Sequence, residues 1–125
     1  IRLSEKYRLS KQIKFIDHCK DMALAYKVSD IVVSASTEPE AFGRVAVEAQ
    51  SMEKMIIASN IGGSNETIIN EKTGLLFESG NANALSQMMI RAITMDERSI
   101  KIFGEEGRKN IINGLCLLNT RRLKL

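Results

Sequence analysis

Tryptophan is absent from the 125 residues, histidine and proline occur once each, and cysteine twice. Each scarcity removes a class of chemistry. His18 has no second histidine and no cysteine at ligand spacing, so no metal site of the usual zinc type is encoded. Cys19 and Cys116 lie far apart and form no Cys-x-x-Cys pair, which reads as reduced thiols rather than a disulfide framework. No Gly-x-Ser-x-Gly elbow accompanies the single histidine, which argues against a Ser-His-Asp machine. No Gly-x-Gly-x-x-Gly follows a strand pattern, which removes the usual dinucleotide fold. No apolar run approaches the roughly 20 residues that span a bilayer. The opening Ile1-Arg2-Leu3-Ser4-Glu5-Lys6 is not a signal peptide and carries no initiator methionine, which suggests a start inside a longer protein.

What remains is a composition suited to one globular domain, 44% hydrophobic and 26% charged. The net charge of +3 is unevenly spread. Residues 1–30 hold seven Lys/Arg against four Asp/Glu, residues 31–90 three against seven, and residues 91–125 eight against four. An acidic middle between basic ends, with two tyrosines and four phenylalanines for stacking, argues against a nucleic-acid groove. The basic flanks read first as solvated helix faces, with peripheral contact to anionic lipid head groups as the alternative.

Short apolar runs alternate with helical patterns. Strands are expected at residues 13–16, 31–34, 55–58 and 75–77, and helices at about 20–28, 42–53 and 66–70. Leu85, Met88, Met89 and Ala92 make one apolar helical face, which Asn81 or Asn83 can cap. A final helix is expected from Asp96 to about Asn113, interrupted by Gly104 and Gly107 at about 1 kcal/mol each. Strands alternating with helices imply βαβ units, hence an α/β fold with a parallel sheet covered on both faces.

The informative stretch runs from Ser36 to Ala49. Glu40 is placed on the loop at the carboxyl end of a parallel strand, where α/β sheets bind ligands. Gly43 stands where the next helix begins, and the free N–H groups of a first turn hold anions. Glu48 lies slightly more than one turn in, on the face shared by residues 44, 48 and 52. Two carboxylates around a set of N–H donors suit sugar hydroxyls and a diphosphate. Spacing alone leaves the other reading open, in which both acids simply flank an ordinary surface helix.

The run Glu40-Ala41-Phe42-Gly43 through Glu48 resembles the E-x7-E signature of retaining GT-B glycosyltransferases of family GT4. The likeness continues through Ser59-Asn60-Ile61-Gly62-Gly63, Glu66 and Asn70-Glu71-Lys72-Thr73-Gly74-Leu75-Leu76-Phe77 in the family's order, and covers roughly residues 13 to 112. It implies that residues 1–125 are a single Rossmann-like lobe, the C-terminal donor-binding domain, with an atypical tail at 113–125. It implies transfer of a sugar from a nucleotide-diphosphate donor to a hydroxyl acceptor with retention, and no metal or further cofactor. It gives Glu40 the catalytic position against the donor sugar, sets Phe42 and Gly43 against the sugar and phosphates, and puts Glu48 on the ribose hydroxyls. Gly62, Gly63 and Glu66 would shape the pocket wall. A cytoplasmic protein, at most peripheral at the inner membrane, is the corresponding placement.

The sequence departs from that pattern in four places. The acceptor lobe and the upstream Lys/Arg segment that faces the phosphates have no counterpart here. The family's Gly-x-Pro before the strand at 55–58 is replaced by Glu53-Lys54-Met55, which removes the usual glycine stop. The end of the chain lacks the aromatic-rich closing helix. The expectation is therefore a truncated or split member that depends on a separate N-terminal lobe, or an inactive remnant or interaction module that keeps only the fold.

Overall fold

The computed structural model describes residues 2–17, 19–38 and 43–123, with side chains to residue 114. His18, Pro39, Glu40, Ala41 and Phe42 lie outside the described residues. In chain order the elements are α1 (Arg2–Lys6), α2 (Met22–Val28), β1 (Ile31–Ser34), α3 (Arg44–Ser51), β2 (Met55–Ser59), α4 (Ser64–Thr67), β3 (Gly74–Phe77), α5 (Ala82–Ile93) and α6 (Glu97–Leu123).

The expected α/β class and parallel sheet are present. Among the described residues the sheet has three strands in the order β1-β2-β3. Val33 pairs with Ile57, and Ile57 in turn with Leu75. All five residues of β2 are buried, which explains why this strand shows no alternation of apolar and polar residues. Its side chains alternate between two cores. Ile56 and Ala58 pack with Tyr26, Ala46, Ala49 and Ile68 beneath α2 and α3. Met55 and Ile57 pack with Leu75, Phe77 and Ala92 beneath α5 and α6.

Helices α2, α5 and α6 begin on side-chain caps that offset their unpaired first-turn amides. Asp21 Oδ1 accepts from Leu24 N at 3.0 Å, Asn81 Oδ1 from Ala84 N at 2.9 Å, and Asp96 Oδ1 from Ser99 N at 2.8 Å. Of the two asparagines offered by the sequence, Asn81 is the cap.

Three expectations need correction. Residues 13–16 form no strand; no described segment pairs with them, and Phe15 and Ile16 are exposed. The helix expected at 66–70 begins earlier, at Ser64, and ends at Thr67, while Asn70 instead bridges to Gly74. The last helix is continuous across Gly104 and Gly107 and extends beyond Asn113.

Packing accounts for the last difference. A Cβ at Gly104 would stand 2.0 Å from the Glu53 carbonyl oxygen, and one at Gly107 3.0 Å from Gln50 Cγ. The glycines that weaken α6 as an isolated helix let it close onto α3. The contact is completed by polar groups. Fully buried Gln50 donates to the carbonyls of Ala46 (3.0 Å) and Thr67 (2.9 Å). Asn110 donates to Gln50 Oε1 (3.1 Å) and to the Thr67 carbonyl (2.8 Å), tying α3, α4 and α6 together.

The absent glycine stop is also resolved. Glu53 adopts the left-handed conformation itself, with φ 59°. Lys54 N donates to Ala49 O (2.9 Å) and Glu53 N to Gln50 O (3.1 Å), the paired bonds of a Schellman ending. Arg108 Nη1, donating to the Ser51 carbonyl at 3.1 Å, satisfies another terminal acceptor. The strain of a left-handed non-glycine residue, about 1–2 kcal/mol, is thus carried by a helix end with several bonds.

The two kinds of α6 glycine should respond oppositely to substitution. Gly104→Ala should lower stability by about 3 kcal/mol, because the new methyl meets backbone. Gly114→Ala, with open space around it, should raise stability by about 0.5–1 kcal/mol. Urea-unfolding midpoints of the two variants check both signs.

Candidate functional site

The carboxyl ends of β1 and β2 each lead to the start of a helix, α3 and α4 respectively. Gly43, the residue before α3, has φ 54° and ψ 52°, a left-handed geometry that favours glycine. A Cβ there would lie 2.7 Å from the Gly63 carbonyl carbon and 2.8 Å from Ser64 N. The starts of α3 and α4 are therefore in backbone contact, and only a hydrogen at Gly43 permits it. Gly62, also left-handed with φ 59°, turns the chain into that contact.

Neither helix start has a side-chain cap. The first helical bond of α3 runs from Val47 N to Gly43 O, so the amides of Arg44, Val45 and Ala46 precede it. The bond from Glu66 N to Gly63 O likewise leaves Ser64 and Asn65 ahead of it. Amides left over at helix starts attract anions, with the helix dipole adding to their field.

Glu48 lies on α3 over Arg44. Its Oε1 accepts from Arg44 Nε at 2.9 Å, and its side chain is 32% exposed while that of Arg44 is 88% exposed. Such a pair contributes only about 0.3–0.5 kcal/mol. The order is also unfavourable, since a cation in the first turn opposes the dipole and arginine precedes its acid. Glu48 is held loosely enough for a competing donor to displace the guanidinium.

Beside Glu48 lies Tyr26 of α2, only 5% exposed. Its hydroxyl is buried and has no hydrogen-bond partner among the described residues. Burial, and then the neighbouring Glu48 carboxylate, push the phenol up to about 12. Tyr26 and Glu48 share a groove of about 330 Å³ with Ala23, Val47, Ser51 and Met52. A larger depression of about 580 Å³ opens at the opposite edge of the sheet, near Asp30, Ile31, Glu53 and Lys54. Its acids and bases are mixed, and the amino ends of parallel strands are not where such sheets present ligands.

Of the residues singled out from sequence, Gly43 stands directly before α3 and Glu48 lies on it, and Gly63 touches Gly43. Glu66 is exposed on α4. Glu40 and Phe42 lie outside the described residues, so the pairing of the two acids is not described. Sequence reasoning missed Tyr26 as more than core and Arg44 as more than a marker of the helix face. The available signals were a polar-tipped aromatic on an apolar stripe and a basic residue in a helix's first turn.

The sequence pattern described as "Glycosyl transferases group 1" matches residues 1–110. The chain is 32% identical over 101 residues to the capsular polysaccharide biosynthesis glycosyltransferase CapM of Staphylococcus aureus, covering 81% of this chain and 26% of CapM. A glycosyltransferase from Rickettsia africae superposes with a TM-score of 0.85 at 38% identity, over 98% of this chain and 33% of that one. HepE of Anabaena, solved in complex with UDP-glucose, superposes with a TM-score of 0.82 at 25% identity, over 88% of this chain and 30% of HepE. The fold is thus that of GT-B glycosyltransferases, and the chain spans about a quarter of CapM's length.

Gly43→Ala tests the helix-start contact. A left-handed alanine costs about 1–2 kcal/mol, and forcing the two backbones apart about 1–3 more. Stability should fall by about 3 kcal/mol in chemical denaturation.

Proposed function

The chain belongs to the group 1 glycosyl transferases, and from that premise we propose that it is the donor-binding lobe of a retaining GT4 enzyme. In this reading residues 1–125 form the C-terminal domain, and a nucleotide-diphosphate sugar lies across the carboxyl edge of the sheet. A hydroxyl acceptor is supplied from a separate N-terminal lobe. The observation that carries the reading is the pair of uncapped helix starts pinned together at Gly43 and Gly63, with Glu48 one turn inside α3.

Each group has a task that follows from its chemistry. The diphosphate gathers negative charge as the glycosidic bond breaks, and fixed amides at the start of α3 stabilise that charge without reorganising. Gly43, lacking a side chain, lets the phosphates and sugar approach the backbone, with Phe42 alongside. Glu48 accepts hydrogen bonds from the vicinal ribose hydroxyls, which takes both carboxylate oxygens away from Arg44. Glu40 holds the donor sugar at the reacting carbon and is the residue assigned to catalysis. The UDP-glucose bound by HepE supports the choice of donor class. No described helix is long and apolar enough to cross a membrane. We place the protein in the cytoplasm, with peripheral membrane contact through its basic flanks.

Isothermal titration of the chain with UDP-, GDP- and ADP-sugars tests the reading. At least one should bind, and Glu48→Ala should weaken it by about tenfold or more, the size of one hydrogen bond to a charged group. The variant's unfolding midpoint should stay near the parent's. A folded chain that binds none of the sugar nucleotides would instead be a remnant or interaction module that retains only the fold.

A further inference from the structure

Buried tyrosine hydroxyls ordinarily find a hydrogen-bond partner, because the ring is at home in a core and the hydroxyl is not. The Tyr26 ring packs in the core with Ala46, Ala49 and Ile56, yet its hydroxyl is the one buried side-chain polar atom without a partner among the described residues. Glu48 lines the same groove between α2 and α3. One carboxylate oxygen of Glu48 accepts from Arg44 Nε, and the Tyr26 hydroxyl lies near enough to the carboxylate to feel its charge without a well-formed hydrogen bond to it. A buried donor without an acceptor therefore sits beside a carboxylate with spare accepting capacity.

We infer that Tyr26 is a positioning residue for Glu48, its hydroxyl donating to the carboxylate when a ribose diol displaces Arg44. This rests on the donor reading above. Tyr26 does not touch the ligand; it fixes the acceptor that does. The phenol suits the task because burial and the adjacent carboxylate hold it protonated well beyond neutral pH. It remains a donor under all working conditions. The exposed guanidinium of Arg44 can swing away into water at little cost, whereas the tyrosine, locked in the core, cannot. When the ligand arrives, the exposed restraint is exchanged for the buried one.

A double-mutant cycle reads this directly. The parent, Tyr26→Phe, Glu48→Ala and the double variant are titrated with whichever of UDP, GDP and ADP the parent binds most tightly, and each is checked by thermal unfolding. Tyr26→Phe should weaken the nucleoside diphosphate by about tenfold, the low end for one hydrogen bond to a charged carboxylate. It should leave the unfolding midpoint unchanged or raised, since an unpartnered hydroxyl is removed. In the Glu48→Ala background, which has no acceptor for the hydroxyl, the same substitution should cost nothing further, and inorganic pyrophosphate, which has no ribose, should not distinguish the parent from Tyr26→Phe. Parent-like affinity in Tyr26→Phe, or an equal loss in both backgrounds, overturns the inference while the donor reading stands. A folded parent that binds no nucleotide overturns both.

Discussion

The site depends on one close approach, that of the α3 start to the α4 start through a residue with no side chain. Gly43 is left-handed, and any Cβ on it would lie inside the contact distance of Gly63 and Ser64. The constraint does two things together. It turns the chain sharply enough after β1 for α3 to run back over the sheet. It also brings the starts of two consecutive βα turns, with their leftover amides, side by side at the carboxyl ends of β1 and β2. Neither start is capped by a side chain, so those donors remain available to an anion.

The rest of the lobe holds that arrangement still. Helix α6 lies against α3 because Gly104 and Gly107 admit Glu53 and Gln50. The Gln50, Asn110 and Thr67 bonds then join α6 to α3 and α4, the two helices whose starts form the site. A buried polar network with every partner supplied rigidifies its elements, and one left half-satisfied would weaken them. The helix furthest along the chain therefore braces the turn to which the donor diphosphate is proposed to bind. In contrast, among the described residues the one ion pair of the Glu48 side chain is exposed and of unfavourable order. The backbone of the site is fixed, and its acid is left free to change partners.

Much of this was legible in the residues. The β-branched run of β1, the bounded apolar run of β2 and the Thr73-Gly74 turn into β3 each mark a strand that the structure contains. The order of motifs from Gly43 to Phe77 marks the family. Two segments needed more than propensity. Residues 13–16 are as apolar as a strand, but a strand exists only against a neighbour, and no described segment supplies one. The α6 glycines read as breaks because their packing partner, Glu53, is fifty residues away, and helix propensity sees only local cost. Glu53 itself, left-handed without being glycine, is stabilised by bonds that no sequence pattern announces. The position of Gly43 at the start of a helix was visible, whereas the Gly43–Gly63 contact was not, since it joins two turns that are adjacent only once the parallel sheet has formed.

The central claim is that the amides at these two helix starts receive the donor's diphosphate. Backbone amide chemical shifts of the ¹⁵N-labelled chain, followed during titration with a nucleoside diphosphate, test it most directly. The account predicts the largest changes at Gly43 to Ala46 and Gly62 to Asn65, around the contact. Changes gathered instead at Asp30, Glu53 and Lys54, on the far edge of the sheet, would contradict it.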